Sequence, residues 1–417
     1  MKRLLLLILM ATTFHACQND DNSVVIVCDI PNTISLNASS NNSATISWQD
    51  DNIDAAYTVE YGLSGFSLGT GMQIDVSSNE VELVGLEPHT AYDLYVMANC
   101  SASNSSAFSA AFGFTTQANP VIPQFLSNLS DMNLYVGDLA DLTINPNAFE
   151  YKLVTPLFTD YAHKLRILAL PIGEAMEYNG DGFPNFPNGT VLAKTFYYNN
   201  NEQDLSQGRF IIETRVIIRE NDAWSIGNYV WNEAQTDAVL DDTQHNIPIT
   251  WINAQGEEMS TEYIVPNQSS CIECHSNAGQ NAVIGPKLRN MNFDINGVNQ
   301  LQHFIDEGYL VDAPDVSAIT ATPDWEDNSY TLEERSRAYF DINCAHCHSV
   351  GGMCELQSTL RLPLEIDFSE TNIFERRNQI RTRMQTYVEG FSMPFIGTTM
   401  VHTEGFDLIE AFLDSLE

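Results

Sequence analysis

Between about residues 27 and 117, apolar and polar residues alternate over short stretches, among them Ala44-Thr45-Ile46-Ser47-Trp48, Tyr57-Thr58-Val59-Glu60-Tyr61 and Tyr92-Asp93-Leu94-Tyr95-Val96. Clusters of Asn, Ser and Gly separate them. Alternation puts successive side chains on opposite faces of a strand, so short strands at this spacing predict an all-β sandwich. Asn119-Pro120 and Pro123 then signal a linker. The segments 164–170, 191–198, 210–219 and 224–231 again read as extended, punctuated by Pro171, Gly173, Pro184, Pro187 and Gly189. They predict a β-rich domain over residues 118–265. Past residue 266 the pattern turns helical, with helices expected over 299–308, 331–340, 374–384 and 404–416. Thr331 and Glu334 stand as a capping box at the start of the second.

The first residues follow neither pattern. Lys2 and Arg3 precede an apolar run over residues 4–10, and small and polar residues then lead to Ala16-Cys17. A positive start and a run too short to span a bilayer describe an export signal. Ala16 before Cys17 gives it the form of a lipoprotein signal, in which residues 1–16 are removed, Cys17 becomes the lipidated first residue and 17–26 form a polar tether; a plain cleaved export signal is the alternative. The mature protein is therefore expected in the envelope of a Gram-negative bacterium, anchored to a membrane by lipid.

Charge narrows the partners. The chain of 417 residues has 55 acidic side chains against 18 basic ones, a formal net charge of −37. Such a surface repels nucleic acid, whose binders need basic patches, and suits protein partners that carry basic patches of their own. Basic residues gather in the middle region, at Lys164, Arg166, Lys194, Arg209, Arg215 and Arg219. Most are expected to pair with carboxylates, and a substrate-facing role is the alternative. Asn179-Gly180-Asp181-Gly182 lacks the later ligands of a calcium loop and reads as a turn.

Eight cysteines carry the chemistry. Cys271-Ile272-Glu273-Cys274-His275 and Cys344-Ala345-His346-Cys347-His348 both have the C-x-x-C-H form of covalent haem attachment. Two thiols on one turn can each form a thioether to a vinyl group of one haem, and the next residue sets an imidazole under the iron. Two covalently bound c-type haems are expected, one on Cys271, Cys274 and His275, the other on Cys344, Cys347 and His348. A zinc site of the four motif cysteines is an alternative, but the span between the motifs far exceeds common zinc-ribbon spacings and leaves both trailing histidines over. A thioredoxin-like pair lacks its βαβ context. Cys354 is an odd thiol shortly after the second motif.

Resemblances to known families add to this reading. Leu86-Glu87-Pro88-His89-Thr90-Ala91-Tyr92 resembles the turn before the tyrosine-corner strand of a fibronectin type III domain, and Trp48 sits where that family keeps its core tryptophan. In a sandwich of that order Cys28 and Cys100 lie at one end, which implies a disulfide in an oxidising compartment; free thiols are the alternative. The flanks of the haem motifs look like cytochrome c. Ile284-Gly285-Pro286-Lys287-Leu288 is similar to that family's loop, which implies that the Pro286 carbonyl accepts the proximal imidazole N–H. Ser392-Met393-Pro394 resembles its distal Met-Pro, which implies Met393 as sixth ligand of the second haem. The first haem has no such Met-Pro; Met291, His303, a ligand from the middle region or an open position are the alternatives.

Residues 150–417 as a whole resemble a family of bacterial dihaem c-type cytochromes. The matching stretches are Thr155-Pro156-Leu157-Phe158-Thr159-Asp160-Tyr161-Ala162, Gly189 to Phe196, Tyr229 to Ala238 and both haem motifs. The resemblance implies an all-α cytochrome c-like dihaem domain over 266–417 and electron transfer between extracytoplasmic redox partners, with no catalytic residue assigned. A haem enzyme, either a dihaem peroxidase or the haem subunit of a periplasmic dehydrogenase, is the alternative function; adhesion through the N-terminal module is a third.

Overall fold

The computed structural model describes residues 27–417, so the expected signal and Cys17 lie outside the described residues. The chain divides into two compact units between Gln117 and Ala118. In the first, the alternating stretches form β1 (Asn32–Ser39), β2 (Ser43–Gln49), β3 (Ala56–Leu63), β4 (Met72–Val76), β5 (Glu80–Val84), β6 (Ala91–Ser101), β7 (Asn104–Ser105) and β8 (Phe112–Thr115). They make two antiparallel sheets, β1-β2-β5 and β4-β3-β6, with β7 and β8 both paired to β6. Every second residue turns inward. Ala44, Ile46 and Trp48 of β2 pack with Tyr57, Val59 and Tyr61 of β3 and with Leu94 and Val96 of β6. The Tyr92 hydroxyl accepts the Glu87 N–H at 2.9 Å, which makes the expected corner. Cys28 and Cys100 form a disulfide.

The second unit begins with β9 (Phe149–Glu150), β10 (His163–Ala169), β11 (Met176–Glu177), β12 (Val191–Asn199), β13 (Arg209–Glu220), β14 (Ala223–Trp231), β15 (Ala238–Leu240), β16 (His245–Ile252) and β17 (Glu258–Val265). Six of these form one antiparallel sheet, ordered β15-β14-β13-β12-β10-β9. β16 and β17 make a hairpin, and β11 pairs in parallel with Leu310–Val311. The helices are α1 (Gln268–Cys274), α2 (Leu288–Met291), α3 (Gln300–Asp306), α4 (Leu332–Asn343), α5 (Ile373–Met384) and α6 (Thr403–Ser415).

Antiparallel pairing sets side chains in rows across the sheet. On one face Ile167, Ala193 and Val216 lie in register and are covered by Leu129, Met132 and Leu142. The other face has two rows. Leu168, Leu192, Ile217 and Ile226 form an apolar one, on which Cys271, Leu288, Met291, Leu301 and Phe304 pack. Beside it runs a polar row of Arg166, Lys194, Arg215 and Asn228.

Residues 118–265 and 266–417, expected as separate domains, thus form one compact unit. The segment expected to be all α does contain every α-helix among the described residues. Yet α1, α2 and α3 are too short to bury one another, and their apolar residues join the core of the sheet. Only α4, α5 and α6 build a helical core of their own, around Phe340, Ile380, Ile409 and Phe412.

Charge ties α4 to the residues around α2. The Asp341 side chain, 2% exposed, accepts from Lys287 Nζ at 2.9 and 3.0 Å, from Arg289 Nη2 at 3.2 and 3.3 Å and from the Leu364 N–H at 3.0 Å. Burial pushes its carboxyl pKa up, but Lys287 and Arg289 outweigh that and hold it below the usual value. A carboxyl depressed in the folded state stabilises above its unfolded pKa, and that stability is lost as pH falls through the folded value. Asp341→Asn removes the carboxylate of half-buried Lys287 and one of the two that face buried Arg289, Glu365 remaining, and should cost about 3 kcal/mol in urea unfolding near neutrality. The gap to the unmodified protein should narrow below pH about 4; a gap independent of pH contradicts the account.

Candidate functional site

The two C-x-x-C-H pentapeptides close the same turn in different settings. Asn267 caps α1 by accepting the Ser270 N–H at 2.9 Å, and the helix carries Cys271 and Cys274 one turn apart. In the second motif Cys344 is the C-cap of α4. In both, the histidine N–H donates to the carbonyl of the first cysteine at 2.9 Å. After His275 a tight hairpin, Ser276–Asn277 on Gln280–Asn281, turns through Ala278 and Gly279 at positive φ and brings Ala282 back. His275 Nδ1 donates to the Ala282 carbonyl at 2.9 Å. A carbonyl only accepts, so Nδ1 carries the proton and Nε2 keeps its lone pair. This corrects the role expected of Pro286, which lines the cavity beside His275 while Ala282 supplies the carbonyl.

Each motif opens on its own cavity. Cys271, Cys274 and His275 line the first, with Leu192, Ile217 and Val283 among its apolar walls. Cys344, Cys347, His348 and Met393 line the second, with Leu362 and Ile380. Cys274, His346, Pro394 and Ile396 border both, so the cavities adjoin. Burial pushes the imidazoles down, to about 3 for His275 and about 4 for His348, so both are neutral. His348 Nδ1 is buried with no partner among the described residues. A hydrogen bond from the Cys347 thiol pulls the Cys274 thiol down to about 5. Cys354 borders the second cavity as a free thiol within hydrogen-bond reach of Cys347. Among the described residues no three His, Cys, Asp or Glu side chains gather as a bare metal ion would need.

The candidates for a sixth ligand separate. Met393 shares the second cavity with His348, alongside Met353 and Met384, two thioethers the sequence did not single out. Met291 is fully buried in the apolar core, and His303 lies on α3 against Phe304; neither lines the first cavity.

The sheet forms the floor of the first cavity. Lys194 and Arg215 of the polar row line it. Arg215 is neutralised by the fully buried Glu213, at 3.1 Å from Nε and 2.5 Å from Nη2, and the Tyr263 hydroxyl donates to the same carboxylate at 2.6 Å. The side chains of Arg166, 8% exposed, and of Lys194 make neither a hydrogen bond nor an ion pair among the described residues. Burial, then the charges of Arg166 and Arg215, push the Lys194 amine down to about 7.

Residues 155–161, read from sequence only as a family signature, join these parts. Leu157, Phe158 and Thr159 line the first cavity. The Thr155 N–H donates to Asn290 Oδ1 at 3.1 Å, and the Phe158 N–H to Asn343 Oδ1 at 2.8 Å, one residue before Cys344. The buried Asp160 carboxylate accepts the Thr399 N–H at 2.8 and 2.9 Å, the Met400 N–H at 3.1 Å and the Thr399 hydroxyl at 2.7 Å. It thereby holds the loop that follows Met393. His402 stacks on Phe158 with ring centroids 4.2 Å apart and accepts the Tyr339 hydroxyl at 3.0 Å. Burial there pushes its imidazole down to about 4. Asp160 and Tyr161 both sit at positive φ, 45° and 63°, a conformation non-glycine residues keep only where the surroundings hold them.

Comparison with known proteins bears on the first unit. Residues 29–113 match the fibronectin type III domain family. That unit is a fibronectin type III domain. Solved structures similar to it include the FN5 domain of Drosophila Lar, at 25% identity over 22% of this chain and 100% of that chain, with a TM-score of 0.20. Another is the fibronectin type III domain of human fibronectin type III domain containing protein 3, at 18% identity over 24% of this chain and 94% of that chain, also with a TM-score of 0.20. No curated protein matches this chain.

The candidate site lies wholly in the second unit, and Asp160 is its tie. Asp160→Ala leaves two part-buried N–H groups without their acceptor and should cost the second unit about 1–3 kcal/mol. Unfolding of the fibronectin type III domain should be unchanged. Hydrogen exchange at Thr399 and Met400 should accelerate; unchanged protection there contradicts the role of the clamp.

Proposed function

We propose that this protein is an exported dihaem c-type cytochrome that carries electrons between redox partners, held to a membrane by lipid on Cys17. One observation carries the reading. Two C-x-x-C-H turns of the same geometry each border a largely apolar cavity, and the two cavities share a wall. The donors suit haem. Each motif has two thiols and a neutral imidazole, and His275 has its ring fixed by Ala282 and Nε2 free. Cys271, Cys274 and His275 would hold one haem; Cys344, Cys347, His348 and Met393 would hold the other.

Haem iron supplies one-electron redox chemistry, and the protein supplies placement and electrostatics. Here Ala282 orients the His275 ring, Asp160 anchors the Met393 loop, and apolar side chains such as Leu192, Ile217, Leu362 and Ile380 keep water from the cavities. The adjoining walls suit transfer between two centres. The net charge of −37 suits partners with basic patches. The fibronectin type III domain and its disulfide accord with export. No helix among the described residues is long and apolar enough to cross a membrane. A haem enzyme is the second reading, favoured by the absence of any methionine among the residues lining the first cavity.

Three outcomes test this reading. The denatured chain should keep two haems, and replacing Cys344 and Cys347 with Ala should remove one; loss of neither, or zinc in their place, contradicts it. Met393→His should lower the potential of one haem, and Met393→Ala should let it bind carbon monoxide, because a neutral thioether favours ferrous iron and fills the sixth position. Unchanged potentials reduce Met393 to packing. Cys17→Ala should release the protein from the membrane fraction with haem loading intact; a variant that still sediments is held by some other attachment.

A further inference from the structure

In a chain with three acidic residues for each basic one, cations should find carboxylates. Several do: Arg215 has Glu213, Lys287 and Arg289 have Asp341, and Arg381 has Asp414, while Arg209, Arg335, Arg337 and Arg361 use carbonyl or amide oxygens instead. Arg166 and Lys194 do neither. They stand in register on β10 and β12, next to Arg215 on β13, and Lys194 and Arg215 face the cavity that holds Cys271, Cys274 and His275. An unpaired buried cation costs several kcal/mol, far more than a surface charge, and a large desolvation cost is offset only by a charged, hydrogen-bonding partner. Glu150 and Glu213 attract them only through space, and neither hydrogen-bonds to them among the described residues. Arg166 and Lys194 therefore stand side by side with no carboxylate in hydrogen-bond reach.

We infer that Arg166 and Lys194 form a binding site for a carboxylate-like oxyanion at the sheet floor, reached where Lys194 lines the first cavity. Guanidinium and ammonium on adjacent strands suit two oxygens of one group. The anion has two possible sources, the carboxylates of a haem bound at Cys271 and Cys274 or a free small oxyanion beside that haem; the first source rests on the proposed function and the second does not. The second cavity carries a parallel feature, since Arg376 and Arg383 line it and neither has a carboxylate partner among the described residues.

The test uses the full-length protein as purified, unmodified and as Arg166→Gln, Lys194→Gln and the double variant. Covalent haem after denaturation is counted first, potentials are then titrated, and the thermal midpoint is followed against added acetate, phosphate and sulfate. If haem carboxylates occupy the site, haem count is unchanged, one potential falls in each variant because positive charge near that iron is lost, and added anions do nothing. If a free oxyanion occupies it, one of the three raises the midpoint of the unmodified protein saturably, and each variant weakens that anion about tenfold or more. If the variants keep both potentials and the unmodified protein ignores all three anions, the site does not exist. A chain without haem sinks the cytochrome reading, and the anion titration still decides this one.

Discussion

The buried carboxylate of Asp160 is the constraint on which the second unit depends. It sits at the edge of the sheet and takes three hydrogens from Thr399 and Met400, far along the chain, so the loop carrying Met393 is fixed to the β half. Asn290 of α2 and Asn343 at the end of α4 grip the same segment. The Met393 loop, α2 and the end of α4 that leads into Cys344 are therefore held from one short stretch, residues 155–161. Such a device needs backbone that faces several elements at once, which accounts for two consecutive non-glycine residues at positive φ.

Charge is handled unevenly across the unit. At Asp341 two cations surround one buried carboxylate, and the cluster closes. Arg166 is buried and Lys194 beside it half-buried, but neither side chain has a carboxylate partner among the described residues, and Lys194 faces the cavity of the first motif. A protein with so large an acidic excess has ample carboxylates to pair them. The two sites differ in kind: one holds the fold together, and the other is completed only by something the chain does not encode.

Much of this was legible in the sequence, for local reasons. Alternation located β10, β12, β13 and β14 to within a residue or two, and Thr331 and Glu334 make the capping box they suggested, with bonds of 2.8 and 3.2 Å. The tyrosine corner and the Cys28–Cys100 disulfide likewise follow from positions within one small domain. What was not legible depends on distance. The amphipathic pattern of α3 shows that Leu301 and Phe304 are buried, not that a sheet buries them. The Ala282 carbonyl reaches His275 only because Ala278 adopts a positive φ that no residue type announces. The row of Arg166, Lys194 and Arg215 exists through strand register, and the clamp at Asp160 through a contact spanning more than half of the second unit.

The central claim is that the paired turns at Cys271 and Cys344 each carry a covalent group. Intact-mass spectrometry of the chain purified from its native envelope measures that most directly. The account predicts a polypeptide heavier by two haems, which persist under denaturing, reducing and acid conditions that strip any bound metal. A mass equal to the bare processed chain, or heavier only by a lipid at its first cysteine, would contradict it.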